Sequence, residues 1–190
     1  MKLKATGRRV VIAGIAAAWL GLGSGASFAQ ADKPLRIGFS MARTGMLANA
    51  TPSQMNTYEL WREQVNAQGG MNVGGTKRKV EFVTYDDQSK PEQAVRIYEK
   101  LITDDKVDLL LAPWGTPFHI AIAPVLEKYK FPVVGNTAAS VALRQVKPGY
   151  IWFTTSAIPD RIGSELTAML KQQNIKSVAV LSNVLPFTKE

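Results

Sequence analysis

Along the chain, short apolar runs of strand length alternate with longer segments in which apolar residues recur every three or four positions. Residues 35–41 (LRIGFSM) predict a first strand, and residues 52–68 a helix on which Met55, Tyr58, Trp61 or Arg62 and Val65 recur. Gly69-Gly70 stops that helix, and turns surround Gly74-Gly75. Residues 79–85 (KVEFVTY) alternate and are β-branched or aromatic, which predicts a second strand. Ser89 and Glu92 have capping-box spacing, with Pro91 in the first turn, ahead of a helix to about residue 104 that places Ala94, Ile97, Tyr98 and Leu101 on one face.

The most informative stretch follows, residues 107–123 (VDLLLAPWGTPFHIAIA). Residues 107–112 read as a strand buried on both faces of a parallel sheet. The run breaks at Pro113, and a helix restarts with Thr116 as its cap and Pro117 in its first turn, continuing to about residue 130. Further strands are expected at 132–135, 150–155 and 177–181, with a helix at 159–173. Strands alternating with helices in this way predict a three-layer α/β/α architecture around a parallel sheet. In such sheets ligands lie beyond the carboxyl ends of the strands, where a helix N-terminus offers amides to an anion. Trp114, Gly115 and Thr116 are therefore expected to line a binding site.

The first 31 residues stand apart. Lys2, Lys4, Arg8 and Arg9 precede an apolar run from Val10 to about Gly23, then small residues around Ala29 and Ala31. This is the layout of a cleavable secretory signal, and the run is short for a membrane span. Cleavage there removes four basic and no acidic residues and lowers the formal charge from +8 to +4. The remaining basic residues, Lys77-Arg78-Lys79 among them, read as solvated surface, and no nucleic-acid partner is expected. With no cysteine, the exported chain has no disulfide framework and no thiolate chemistry.

No catalytic constellation is visible. Asp86 and Asp87 are adjacent on a strand end and read as turn and helix-start acceptors. His119 is the only histidine and reads as a partly exposed helix residue. The glycine pairs follow a helix and precede a strand, the wrong order for a phosphate loop, so no cofactor and no metal are expected. Trp61 and Trp152 read as core.

Taken together, Ile37-Gly38 to Thr44-Gly45, Val65-Asn66-Ala67-Gln68-Gly69-Gly70, Tyr85-Asp86-Asp87 with Pro91 and Gln93-Ala94, and Phe131-Pro132-Val133-Val134 resemble the periplasmic solute-binding proteins of ABC importers, in the leucine/isoleucine/valine-binding branch. The resemblance spans residues 35–187 and rests on the order and spacing of motifs that are individually weak. It implies a type I periplasmic binding fold of two lobes that close on a solute in the periplasm and pass it to an inner-membrane permease, acting as a monomer and not as an enzyme. Residues 32–153 would form the first lobe, and 154–190 the hinge crossing and the start of the second.

By position, the ligand carboxylate would meet loops 113–118 and 136–140, with Thr116, Ala138, Ala139 and Ser140 as contacts, Thr44 to Asn49 flanking, and Phe187 contributed by the second lobe. Where the leucine-binding type has serines, this chain has Pro113-Trp114-Gly115-Thr116, which favours an aromatic or bulky apolar ligand body over a bare aliphatic amino acid. A ligand-sensing receptor ectodomain is the alternative, and an exported α/β enzyme a weaker one for want of a nucleophile elbow or metal cluster. Only the beginning of a second lobe is expected within these 190 residues.

Overall fold

The computed structural model describes residues 33–182 except 147–148 and 155–157. The expected signal segment and Phe187 lie outside the described residues.

Strand β1 (Leu35–Met41) is central and almost wholly buried. It pairs in parallel with β4 (Val80–Asp86) on one side, Leu35 opposite Val80 through Met41 opposite Asp86, and with β5 (Leu109–Leu110) on the other. One face of this sheet carries helix α1 (Pro52–Ala67). There Phe39 meets Tyr58 and Phe82 edge-on at ring separations of 5.3 and 5.2 Å, and Trp61 stacks on Phe82. The opposite face carries α2 (Pro91–Thr103) and α3 (Thr116–Tyr129), which pack against each other as well as on the sheet. The buried positions of α2 are Ala94, Ile97, Tyr98 and Leu101, the face its periodicity predicts. The layers are therefore those expected, but the parallel strands form two groups: β6 (Val133–Gly135) and β7 (Ile151–Phe153) pair separately from β4-β1-β5.

The turn after α1 has a physical reason in its sequence. Asn66 both accepts from Val80 N–H at 2.7 Å and donates to Val80 C=O at 2.9 Å, tying the helix end to the start of β4. Gly70 has φ +107°, and a Cβ there would lie 2.2 Å from the Arg78 carbonyl oxygen, so only glycine fits. The residues around Gly74-Gly75 form a hairpin of β2 (Met71–Val73) and β3 (Thr76–Arg78) where only turns were expected. Both glycines have positive φ, as a two-residue hairpin turn requires.

Other expectations are corrected. Arg78 is buried rather than solvated: its guanidinium pairs with Asp108 at 3.0 Å and donates to the carbonyls of Lys33 and Pro34. The strand expected at 107–112 is regular over only two residues, and Leu109 is 40 % exposed because, among the described residues, nothing beyond α1 covers that face. For the same reason Trp61 and Trp152 are not core residues, at 37 % and 52 % exposure. Helix α4 (Ile158–Gln172) lies where expected, but 177–181 is not a strand: it has no ladder partner among the described residues, and Val180 and Leu181 are exposed. No described helix is long and apolar enough to cross a membrane.

Candidate functional site

Parallel pairing brings the loops after β1, β4, β5 and β6 to one edge of the sheets, at the carboxyl ends of the strands. The first two loops are bound to each other through Asp86, Asp87 and Ser89. Asp86 accepts from the Thr44 hydroxyl at 2.7 Å and from the Arg43, Thr44 and Gln88 amides. Desolvation acts to raise its pKa, but these donors outweigh it and hold the carboxyl below its ordinary value. Asp87 is buried, accepts from the Ser40 hydroxyl at 2.8 Å and the Ser89 amide at 3.0 Å, and is pushed above its ordinary value by burial. Ser89 does not cap α2; its hydroxyl donates to Thr44 C=O and accepts from Leu47 N–H, and α2 has no side-chain cap. Thr44 and Asn49 are both exposed on the rim, with the Thr44 hydroxyl committed to Asp86.

The loops after β5 and β6 are joined just as closely. Gly115 takes φ +92°, a conformation that favours glycine, and stands at the N-cap of α3 in place of Thr116. Its amide donates to the Thr137 hydroxyl at 3.1 Å, and that hydroxyl donates in turn to Pro113 C=O at 3.1 Å. Thr116 is fully buried, with its hydroxyl accepting from the Ala139 amide at 3.2 Å. Ser140 is fully buried too, its hydroxyl accepting from Ala142 N–H at the start of a short 3₁₀ turn. Ala138 is buried beside them. The geometry thus brings 113–116 and 137–140 together, and Thr116 and Ser140 use their side chains to hold the loops. Thr137 is the connecting residue that the sequence did not single out.

Trp114 is half-buried, packed against the main core, and walls a cavity of about 160 Å³ with Met46, Leu47, Pro91, Pro117 and Phe118. This slot is almost wholly apolar and opens beside the first turn of α3. A helix N-terminus carries a partial positive charge and outward-facing amides. An apolar recess next to such a terminus can take a small molecule with an apolar body and one anionic end.

His119 corrects an expectation. It is fully buried rather than partly exposed, with Nδ1 2.8 Å from the Gly115 carbonyl oxygen and its ring against Gly135 and Phe153. Burial lowers its pKa from the ordinary 6.5 to about 4, against the upward pull of the Gly115 carbonyl. The sequence signal for it was the spacing: residue 119 lies one helical turn after the cap at 115. Among the described residues no cluster of three or more His, Cys, Asp or Glu is placed to hold a metal.

Parallel strands flanked by helices, with their loops gathered at one edge around an apolar slot, place the chain in the α/β class. The sequence matches the periplasmic binding protein family over residues 34–190, and the chain belongs to that family. Among solved structures it is similar to a solute-binding protein of an ABC transporter from Rhodopseudomonas palustris BisB5 in complex with 3,4-dihydroxybenzoic acid (25 % identity, TM-score 0.64, covering 82 % of this chain and 41 % of that one). An R. palustris solute-binding protein in complex with 4-hydroxybenzoate is 26 % identical at TM-score 0.63, covering 83 % of this chain and 41 % of that one. The fold is also that of a branched-chain amino acid transporter substrate-binding protein from Streptococcus pneumoniae in complex with isoleucine (24 % identity, TM-score 0.56, covering 64 % of this chain and 33 % of that one). The chain spans about two fifths of the length of the R. palustris relatives.

Proposed function

We propose that this chain is the N-terminal part of an extracytoplasmic solute-binding protein that delivers a small aromatic carboxylate to an ABC permease. In this reading residues 1–31 direct export, 32–153 form the first lobe, and 154–190 cross the hinge and begin the second. The observation that carries it is the apolar slot walled by Trp114 and Phe118 beside the N-terminus of α3. Apolar cavities of about 150 Å³ admit a benzene-sized ring, and this one has about 160 Å³. A ring there would lie against Trp114 with its carboxylate toward the first turn of α3. The two R. palustris proteins with aromatic acids bound favour the same ligand class.

A second reading is a branched-chain amino acid, favoured by a 27 % identical R. palustris protein described as a branched-chain amino acid transporter. Calorimetric titration of the full-length protein with 4-hydroxybenzoate and with leucine separates them. Saturable binding of 4-hydroxybenzoate without leucine binding is expected, and the reverse pattern refutes the aromatic assignment.

A further inference from the structure

The slot walled by Trp114 has two ends. Pro117 and Phe118 stand at the end formed by the first turn of α3, and Met46, Leu47, Ser89 and Pro91 form the other. That far end is where the loop after β1 meets the loop after β4. With a ligand carboxylate toward α3, the opposite, para end of the ring meets these four residues. Of the four only Ser89 has a side chain that makes strong hydrogen bonds, and Pro91 has no N–H.

The Ser89 hydroxyl is already used in both directions. It donates to Thr44 C=O at 2.8 Å and accepts from Leu47 N–H at 3.0 Å. Turning it toward a ligand would leave both backbone groups unpaired, which costs more than one new hydrogen bond returns. The backbone holds it in place as well. Ser89 has φ +60°, and its own N–H donates to the buried Asp87 carboxylate at 3.0 Å. Gly45 lies so close that a Cβ on it would stand 2.6 Å from Ser89 Oγ. The Leu47 carbonyl is likewise taken, by the Ala50 amide at 2.9 Å. The Trp114 indole N–H has no partner among the described residues, but it only donates and cannot receive the proton of a ligand hydroxyl.

We infer that this slot selects a ring whose end opposite the carboxylate is apolar, with Met46 as the specificity-determining residue at that end. A methyl group there meets Met46, Leu47 and Pro91, whereas a hydroxyl of the same size enters without an acceptor for its proton. The inference narrows the substrate class of the proposed site and rests on that reading. It separates this chain from its two R. palustris relatives, whose bound acids, 4-hydroxybenzoate and 3,4-dihydroxybenzoic acid, carry a hydroxyl opposite the carboxylate.

The test is calorimetric titration of the full-length protein with 4-methylbenzoate and 4-hydroxybenzoate, which differ only in a methyl and a hydroxyl of similar size. The wild type should bind the methyl acid at least about tenfold more tightly, because the buried hydroxyl proton is left unpaired. Met46 is 71 % exposed although it lines the slot, so a substitution there changes the far end without disturbing the core. Met46→Gln, unbranched and of similar length, offers an amide oxygen to the hydroxyl and should bring the two acids within about threefold of each other. Met46→Leu should keep the preference for the methyl acid. Ser89→Ala leaves Thr44 C=O and Leu47 N–H without their partner and should weaken both acids alike, with their ratio kept.

A wild type that binds 4-hydroxybenzoate as tightly as the methyl acid, or more tightly, overturns the inference and leaves the aromatic reading standing. A preference that Met46→Gln does not reduce overturns the assignment of Met46. A loss in Ser89→Ala confined to 4-hydroxybenzoate means that the Ser89 hydroxyl reads the ligand, and overturns the inference too. Failure of the wild type to bind either acid refutes the aromatic carboxylate reading itself, and the selection inferred from it falls with it.

Discussion

Gly135→Ala is the substitution in which the packing beneath the site is most exposed to test. The new Cβ would stand 2.8 Å from His119 Cδ2 and 2.9 Å from Phe153 Cδ1, both closer than real Cβ contacts allow. Phe153 is only partly buried and can shift, but the His119 ring is held by its bond to Gly115 C=O and has no exposed side to move into. Relief thus comes either from breaking that hydrogen bond or from moving β7 away from β6. Overpacking of this kind costs about 1–3 kcal/mol. For a domain of this size each kcal/mol lowers the melting temperature by about 2–4 °C, so a fall of roughly 2–12 °C is expected.

Urea denaturation followed by circular dichroism gives the free-energy difference directly, provided the slope is unchanged. The same substitution in a His119→Ala background should cost less than about 0.5 kcal/mol, because the methyl then enters space the ring has vacated. A cost below about 0.5 kcal/mol in the wild-type background, or one that His119→Ala does not relieve, would refute the claim that Gly135 is required for contact with His119.

Two further predictions concern stability. The folded pKa of His119, about 4, lies below the 6.5 of an ordinary imidazole, so as pH falls the unfolded chain takes up the proton first. Its contribution is fully present above about pH 6.5, declines between about 6.5 and 4, and amounts to roughly 3 kcal/mol. The difference in stability between wild type and His119→Phe, followed by denaturant titration across that window, should change by this amount, and a constant difference would contradict it. Gly163 is exposed within α4, without positive φ and with nothing within 4 Å of an added Cβ. Gly163→Ala should therefore stabilise by about 0.5–1 kcal/mol, read as a higher denaturation midpoint.

Where local periodicity and burial coincide, the fold was legible from sequence. The repeat of Ala94, Ile97, Tyr98 and Leu101 is the buried face of α2, and β1 and β4 lie within one residue of their expected bounds. The β2–β3 hairpin was not legible because its strands are three residues each and mostly polar, too short to display a period. Residues 177–181 have strand composition, yet a strand exists only with a neighbour to share its hydrogen bonds, and none is present among the described residues. Trp61, Leu109 and Trp152 are exposed for a related reason: hydrophobic character shows what a residue prefers, whereas burial depends on what covers it.

At the site, the order Pro113-Trp114-Gly115-Thr116 disclosed where the loop lies, but not how each hydroxyl is used. Thr116, Thr137 and Ser140 have the same chemistry in sequence. Only the folded backbone shows that they bond to Ala139 N–H, to Gly115 N–H with Pro113 C=O, and to Ala142 N–H. A lone histidine was likewise ambiguous until its partner across one helical turn, the Gly115 carbonyl, was in place.

The most direct test of the account is a crystal structure of the full-length protein grown with 4-hydroxybenzoate. The expected result places the ring against Trp114 and a carboxylate oxygen within about 2.7–3.0 Å of a donor on loops 113–116 or 137–140. A carboxylate bound away from loops 113–116 and 137–140, or an aliphatic amino acid retained there in place of the added acid, would contradict it.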